Sequence, residues 1–457
     1  MTHSRRHFLT TASATAIASV TSASVTGDEG DTRGSQRQIT WRRRVPVRYE
    51  ADVAVIGGGI AGTSAACAAA KSGASVVLVE RFAVAGGNST VGGVASFCGE
   101  TAGQGELFDA IIADLEQFDA VAPYKPYPAA DHRLFDHELL AVVLQELLIR
   151  RRVRLLLHTR FVDARLRNRR ITECIVCGKS GPEALRARQF IDCTGEAELA
   201  RAARLETVKG RPADGMQLPM SLMFFVRHVA AENARPQVPE GWFEAIRRLD
   251  DLPMTSIWPN GPRGNALKVK IPMFDSADTE SITAAEIRAR RRMMEVLDYY
   301  QRIENKPWIL DHCSPRIGIR EGRRIVGDYV LSVDDVRAGR EFDDAVARGV
   351  YPLDAHKPDD DKRTYILSRD ERLVPPYQIP LRSLIARGCK NLMAAGRCFS
   401  ADQLALSSAR VTTSSSMMGQ AAGIAAAMAV RQGCDPRGLD PTDVRKAVEA
   451  RGARLAV

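Results

Sequence analysis

Apolar and polar positions follow different rhythms along successive stretches of the chain. Residues 51–56, Ala51-Asp52-Val53-Ala54-Val55-Ile56, form a short apolar run of the kind found in a parallel strand buried on both faces. A glycine-rich turn at 57–62 follows, and the Ala-rich residues 63–71 stop at Ser72-Gly73. That pattern reads as turn, helix and C-cap. A second run, Ser75-Val76-Val77-Leu78-Val79, ends at Glu80, so the unit is β-α-β. Helical periodicity covers 106–119 and 135–151, residues 153–160 read as a strand, and 161–190 read as a small β-meander that runs into Ile191-Asp192-Cys193-Thr194-Gly195.

Residues 216–375 break this rhythm, mixing strands, a charged helix at 282–303 and long polar loops with no repeated β-α-β unit. They are expected to form an inserted mixed α+β substrate lobe. The apolar pattern returns at Leu392-Met393-Ala394-Ala395, ends at Gly396, and is followed by an Ala-rich helix at 415–430. Asp440-Pro441 reads as the N-cap and first position of a short terminal helix. Order is expected from Tyr49, after a polar linker. The resulting division is an N-terminal segment 1–26, a linker 27–48, a first α/β part 49–215, the lobe 216–375, a return segment 376–435 and a C-terminal helix 436–457.

The strongest chemical signal is Gly57-x-Gly59-x-x-Gly62, which follows one strand, opens a helix and leads to a second strand ending in Glu80, 18 residues after Gly62. This context makes the motif a dinucleotide fingerprint. Gly57 allows the tight turn, Gly59 lets the backbone approach a pyrophosphate, and Gly62 lets the helix pack close to the strand. The helix start at Ile60 and Ala61 offers free N–H groups to phosphate. Glu80 is suited to accept ribose hydroxyls, with Arg81 beside it. Gly86-Gly87-Asn88-Ser89 adds a second glycine turn that can pass close to the same pyrophosphate.

Several longer stretches accompany these turns: 53–62, 191–200, 319–327 with Asp343-Asp344-Ala345, 376–382, 391–397 and Gly419-Gln420-Ala421-Ala422-Gly423. In them the sequence resembles the FAD-dependent oxidoreductases related to the flavin domain of heterodisulfide reductase. More distantly it is similar to the fumarate reductase and thiazole synthase flavoproteins. The resemblance runs from Tyr49 to the C-terminus. It implies a Rossmann-type, glutathione-reductase-like FAD-binding domain, with FAD also touched by Thr194, Gly195, Gly396 and Arg397. It further implies that Gly419, Gln420 and Ala421 lie at a helix N-terminus facing the flavin pyrimidine edge, stabilising negative charge there. The chain departs from relatives in the loop 398–403, where many carry a His near Gln403, and at Arg204, where Gly is common. Some relatives hold iron–sulfur clusters, but the closely spaced cysteines these need are absent, and no metal is expected.

At 457 residues the chain exceeds the size of a single core. Its net charge of +9 is dispersed, and Arg-rich clusters such as 42–44, 150–152 and 290–292 lie among acidic neighbours without aromatic residues. A solvated surface is expected, not a nucleic-acid site. Among nine cysteines, Cys174 and Cys177 form a C-x-x-C on a strand, where residues three apart face opposite ways. Ser4-Arg5-Arg6-His7-Phe8-Leu9 precedes a weakly apolar stretch, 12–25, with no acidic residue before Asp28. This layout matches a bacterial twin-arginine signal. It predicts export of the folded protein by the twin-arginine translocase to the periplasm or beyond. No other segment has the roughly 18 apolar residues of a membrane span.

For the reaction itself, Arg320 and Arg410 are suited to hold a carboxylate or an oxyanion, with structural ion pairs as the equal alternative. Tyr377 or His356 is the candidate proton acceptor, Asp354 orienting the latter. Cys98 is read as a buried small residue or, alternatively, a flavin contact or covalent anchor. The expected activity is hydride transfer from a small organic substrate to FAD, as a dehydrogenase or oxidase with an unnamed electron acceptor. A flavin monooxygenase is the first rival, although a second GxGxxG for a nicotinamide cofactor is absent. A non-catalytic flavin-binding module is the second.

Overall fold

The computed structural model describes residues 42–129, 132–260 and 264–457. The chain divides into Met1–Arg44 and a body, Val45–Val457, and the fold described here is that of the body. Residues 1–26, read as an export signal, and linker residues 27–41 lie outside the described residues.

Strand β1, Val47–Ile56, begins two residues before Tyr49, where order was expected. The extra pairing is long-range: Val47 lies opposite Ala184, Arg48 reaches Glu183 at 3.2 Å, and the Tyr49 hydroxyl donates to Glu183 at 3.0 Å. Helix α1, Ile60–Lys71, and strand β2, Val76–Val79, complete the β-α-β unit. Helices α2, Glu106–Gln117, and α3, His137–Arg150, follow. Asp136 fixes the start of α3 by accepting from Glu138 N at 2.9 Å and Leu139 N at 3.0 Å. Strands β3, Arg154–Leu156, β4, Arg160–Arg167, β5, Arg170–Gly178, and β6, Gly181–Asp192, come next. One sheet joins them: β3, β2, β1 and β6 run parallel, while β4 and β5 form an antiparallel meander with the first half of β6.

The lobe is a four-stranded antiparallel sheet. It contains β7, Met220–His228, β8, Thr255–Pro259, β9, Gly264–Ile271, and β10, Trp308–Cys313. Helix α4, Thr279–Arg302, covers one face, packing Ala285, Ala289, Met293 and Val296 on Met220, Leu222, Phe224 and Val226. It starts three residues earlier than the pattern predicts because Asp278 caps Ser281 N at 2.8 Å. The alternate residues Met223 and Phe225 are buried on the opposite face, so β7 is apolar on both sides.

The chain then returns to the first sheet. Strand β11, Leu392–Ala394, pairs parallel with the end of β6. Helix α5, Thr412–Gln432, lies along α1. A Cβ on Gly419 would sit 2.1 Å from Ala61 O, and one on Gly423 would sit 2.2 Å from Ala65 O, so these glycines set the close approach of the two helices. Helix α6, Pro441–Glu449, is capped by Asp440 as expected from its sequence. The result is a mixed α/β body whose parallel strands β1, β2, β6 and β11 all end toward the same cavity. All nine cysteines are free thiols, Cys174 and Cys177 included. Among the described residues no helix is long and apolar enough to cross a membrane.

Candidate active site

A cavity of about 980 Å³, its open mouth counted, lies at the carboxyl ends of the parallel strands. Ligands of open α/β sheets bind at that edge. Ile56, Val79, Cys193 and Ala395 bring the four strands to its wall, and the loops after them complete it.

Each glycine of the fingerprint has a separate reason. Gly57 has φ +98°, and a Cβ there would meet Cys193 O at 2.4 Å. A Cβ on Gly62 would fall 1.8 Å from Gly57 O, so Gly62 packs the helix on the turn and does not line the cavity. At Gly59 a Cβ would meet nothing within 4 Å, because the position faces the cavity. Gly59 is also the N-cap of α1 without any side-chain cap bond. The first N–H groups of that helix are therefore open to an anion. Ile60, Ala61, Gly86, Gly87 and Asn88 lie on the same wall. The Asn88 amide is spent on Ile319 O at 2.8 Å.

Glu80 is buried, and its carboxylate accepts from Gly58 N at 2.7 Å and Phe82 N at 2.9 Å. Arg81 stands 3.8 Å from Glu198, and Arg397 stands 3.0 Å from Glu196. Thr194, Gly195, Gly396 and Arg397 all line the cavity. Sequence reasoning missed Arg316, which lines the same wall over the Phe82 ring at 5.2 Å. Burial first, then Arg81 and Arg397, push its pKa down to about 9, and its Nη2 has no hydrogen-bond partner among the described residues. A buried guanidinium nitrogen without a partner is costly. An anion in the cavity removes that cost. The motif 319–327 begins only after Arg316, so no sequence pattern marks it.

Arg320, Arg410, Thr412 and Ser415 also line the cavity. Arg320 Nη1 donates to Pro219 O at 2.7 Å and Ser221 Oγ at 2.5 Å. Arg410 Nη2 donates to Asp354 Oδ2 at 2.9 Å, while its Nε has no partner among the described residues. Asp354 also meets His356 Nε2 at 3.2 Å. Burial alone would raise the Asp354 carboxyl, but the His356 hydrogen bond and the charges of Arg410 and Arg320 outweigh it and hold it well below the usual carboxylate range. Burial pushes His356 down to about 4, so its ring is neutral at pH 7. With Nε2 donating to Asp354, Nδ1 is a bare acceptor, and it too is buried without a partner among the described residues. His356 does not line the cavity itself; it is reached through Asp354 and Arg410. Lys268, another residue not anticipated from the sequence, lies in the same field. Burial and Arg320 push its pKa down to about 8.

Other expected residues stand elsewhere. Tyr377 is buried away from the cavity. Its hydroxyl is bonded to Ser408 Oγ at 2.8 Å, and its ring fills the space where Gly349 would carry a Cβ. It is a core residue rather than a proton acceptor, and burial raises its pKa further. Gly419, Gln420 and Ala421 likewise do not line the cavity. The N-terminus that faces the cavity is Thr412, seven residues earlier, and Gly419 packs on α1. Gln420 accepts from Leu107 N at 3.3 Å and donates to Arg451 O at 3.4 Å. Cys98 does not line the cavity; its carbonyl accepts from Thr413 at 2.9 Å. Gln403 donates to Glu321 at 2.7 Å and to Met216 O at 2.9 Å, tying the return segment to the entry of the lobe.

A family model described as FAD dependent oxidoreductase matches residues 52–448. The chain belongs to this family. It is an enzyme, and its cofactor is FAD. The Gly59 opening, the uncapped α1 and the unpartnered Arg316 fit the pyrophosphate of that cofactor. Solved structures are similar to the chain at low identity. The OxyS anhydrotetracycline hydroxylase from Streptomyces rimosus is 12% identical with a TM-score of 0.47, over 88% of this chain and 66% of that one, just under two thirds of its length. A geranylgeranyl bacteriochlorophyll reductase-like protein from Thermoplasma acidophilum is 13% identical with a TM-score of 0.46, over 89% and 85%. The myxobacterial chondrochloren halogenase is 12% identical with a TM-score of 0.43, over 88% and 79%. No curated protein matches the chain.

Proposed function

We propose that this FAD-dependent oxidoreductase oxidises a small organic substrate that carries a carboxylate, with Arg320 and Arg410 as its anchor. One observation carries the reading: both guanidinium groups line the cavity, and Asp354 is the carboxylate that partly offsets them. When bound, FAD supplies a two-electron acceptor at flavin N5. Arg320, fixed through Nη1 to Pro219 O and Ser221 Oγ, presents the rest of its fork to a substrate oxygen. Arg410 is held in place by Asp354 and has Nε to spare. His356, neutral and outside the cavity, is a positioning residue: its Nε2 holds Asp354, which in turn holds Arg410. Lys268, with its lowered pKa, adds positive charge beside Arg320.

Replacing Arg410 with Lys tests this anchor. FAD should stay bound, while reduction by substrate slows at least tenfold, since one charge-assisted bond contributes about 1.5–3 kcal/mol. Unchanged reduction would make Arg410 structural. Within the family we place the chain nearest the heterodisulfide reductase type, on the motifs at 191–200 and 319–327. We also propose twin-arginine export on the strength of Arg5-Arg6. Changing both to Lys should block it, and normal export of that variant would refute the signal.

A further inference from the structure

Away from the flavin cavity, helix α3 and strand β10 bring three metal-ligating side chains together. His137 and Glu138 open α3, and His312 lies on β10. One ligand atom from each lies within 4.8 Å of the other two. They are 174 residues apart in sequence, from Glu138 to His312, so the cluster is a product of the fold. His137 Nε2 and Glu138 Oε1 stand 3.5 Å apart.

The hydrogen bonding around His312 settles which nitrogen is free. Its Nδ1 lies 2.9 Å from Asp311 Oδ2. An ionised carboxylate only accepts, so Nδ1 carries the proton and Nε2 is a bare lone pair. That Nε2 is buried and has no hydrogen-bond partner among the described residues. A buried acceptor with no donor is unfavourable. The same carboxylate–imidazole pairing is the usual second contact of a metal-bound His, fixing its ring and raising its basicity. Phe225 lies flat against both rings, 4.8 Å from His137 and 4.3 Å from His312, and limits their rotation. Around them Asp136, Glu138 and Asp311 add negative charge, and Arg227 stands 3.9 Å from Asp311.

Two imidazoles and one carboxylate are the donor set of open zinc sites, where a fourth position is left to water. Borderline divalent cations prefer such nitrogen-rich sets to the all-oxygen sites of magnesium or calcium. We propose that His137, Glu138 and His312 bind one divalent cation of the zinc class. The ion ties the start of α3 to the lobe strand β10, with Asp311 as the positioning residue for His312.

The test uses the full-length flavoprotein, stripped with a chelator, dialysed and titrated with Zn²⁺ in competition with a chromophoric chelator. Flavin content is read in every sample. One zinc per chain is expected. His312→Gln and His137→Gln should each lose that equivalent while keeping FAD. Asp311→Asn, which leaves all three ligands in place, should weaken zinc about 10- to 100-fold. Should either His variant fold poorly, Glu138→Gln, at an exposed side chain, provides the independent loss. No stoichiometric zinc in the parent, or zinc affinity unchanged in the ligand variants, would overturn the site.

Discussion

Gly59 and Gly62 are three residues apart in one motif, yet the structure predicts opposite consequences for replacing them. At Gly59 the backbone is extended, with φ −62° and ψ 178°, and a Cβ would touch no protein atom within 4 Å. Gly59→Ala should therefore leave folding stability within about 1 kcal/mol of the parent. The chain-entropy gain of roughly 0.4–1 kcal/mol is offset by the poorer capping of Ala, about 1 kcal/mol. The open space belongs to the cofactor, so FAD affinity should fall. Losing one charge-assisted contact, about 1.5–3 kcal/mol, corresponds to about a 10- to 100-fold rise in Kd. Gly62→Ala reverses the pattern. Its Cβ would overlap Gly57 O at 1.8 Å, and overpacking of this kind costs about 1–3 kcal/mol or more. Urea unfolding of the two apoproteins, paired with titration of FAD by fluorescence quenching, separates the effects. An unfolded Gly59→Ala protein, or one that binds FAD as tightly as the parent, would refute the assignment of that space to the pyrophosphate.

Other changes follow the same geometry. Arg316→Met should fold normally and weaken FAD about tenfold, since it removes one unpartnered cation from the cavity; undiminished FAD affinity in the same titration would count against an anion there. Gln420→Ala should destabilise the fold by about 1–3 kcal/mol in urea unfolding, while FAD affinity stays within about twofold; a large loss of FAD would return Gln420 to the cofactor site. His356 is pushed down to about 4 from an ordinary value near 6.5, so its neutral form persists down to about pH 4. Flavin reduction should be flat from about pH 7 to 5, fall on approach to pH 4, and fall again toward pH 8 as Lys268 loses its charge. A limb near 6.5, absent in His356→Gln, would show an unshifted imidazole. The unfolded state protonates this His first, so its contribution to stability is complete above about 6.5 and is lost as pH falls from there toward about 4.

The first β-α-β unit was legible because its signals are local: an apolar run, glycines at fixed offsets and an Ala-rich helix. The lobe was visible as a break in that rhythm. What escaped depends on contacts between distant residues. The first residues of β1 are held by Ala184 and Glu183, and Arg316 meets Phe82 across 234 positions. Gly419 reads like a ligand glycine, but a helix-packing glycine has the same signature, and here Ala61 is the neighbour. The true start of α5 was hidden by Thr412, Thr413, Ser414, Ser415 and Ser416, residues that favour caps over helix interiors. Burial rescues them in the helix, with Ser416 bonded to Ser64 at 2.8 Å. Tyr377 offered the right group, and only packing shows that it points into the core.

The most direct test of the proposed reaction is the flavin absorption band under anaerobic mixing with matched pairs of small carboxylic acids and their neutral esters. Bleaching by an acid but not by its ester, abolished when Arg320 and Arg410 are both replaced by Met in a protein that still holds FAD, is the predicted result. Equal bleaching by acid and ester, or bleaching unaffected in the double variant, would contradict the account.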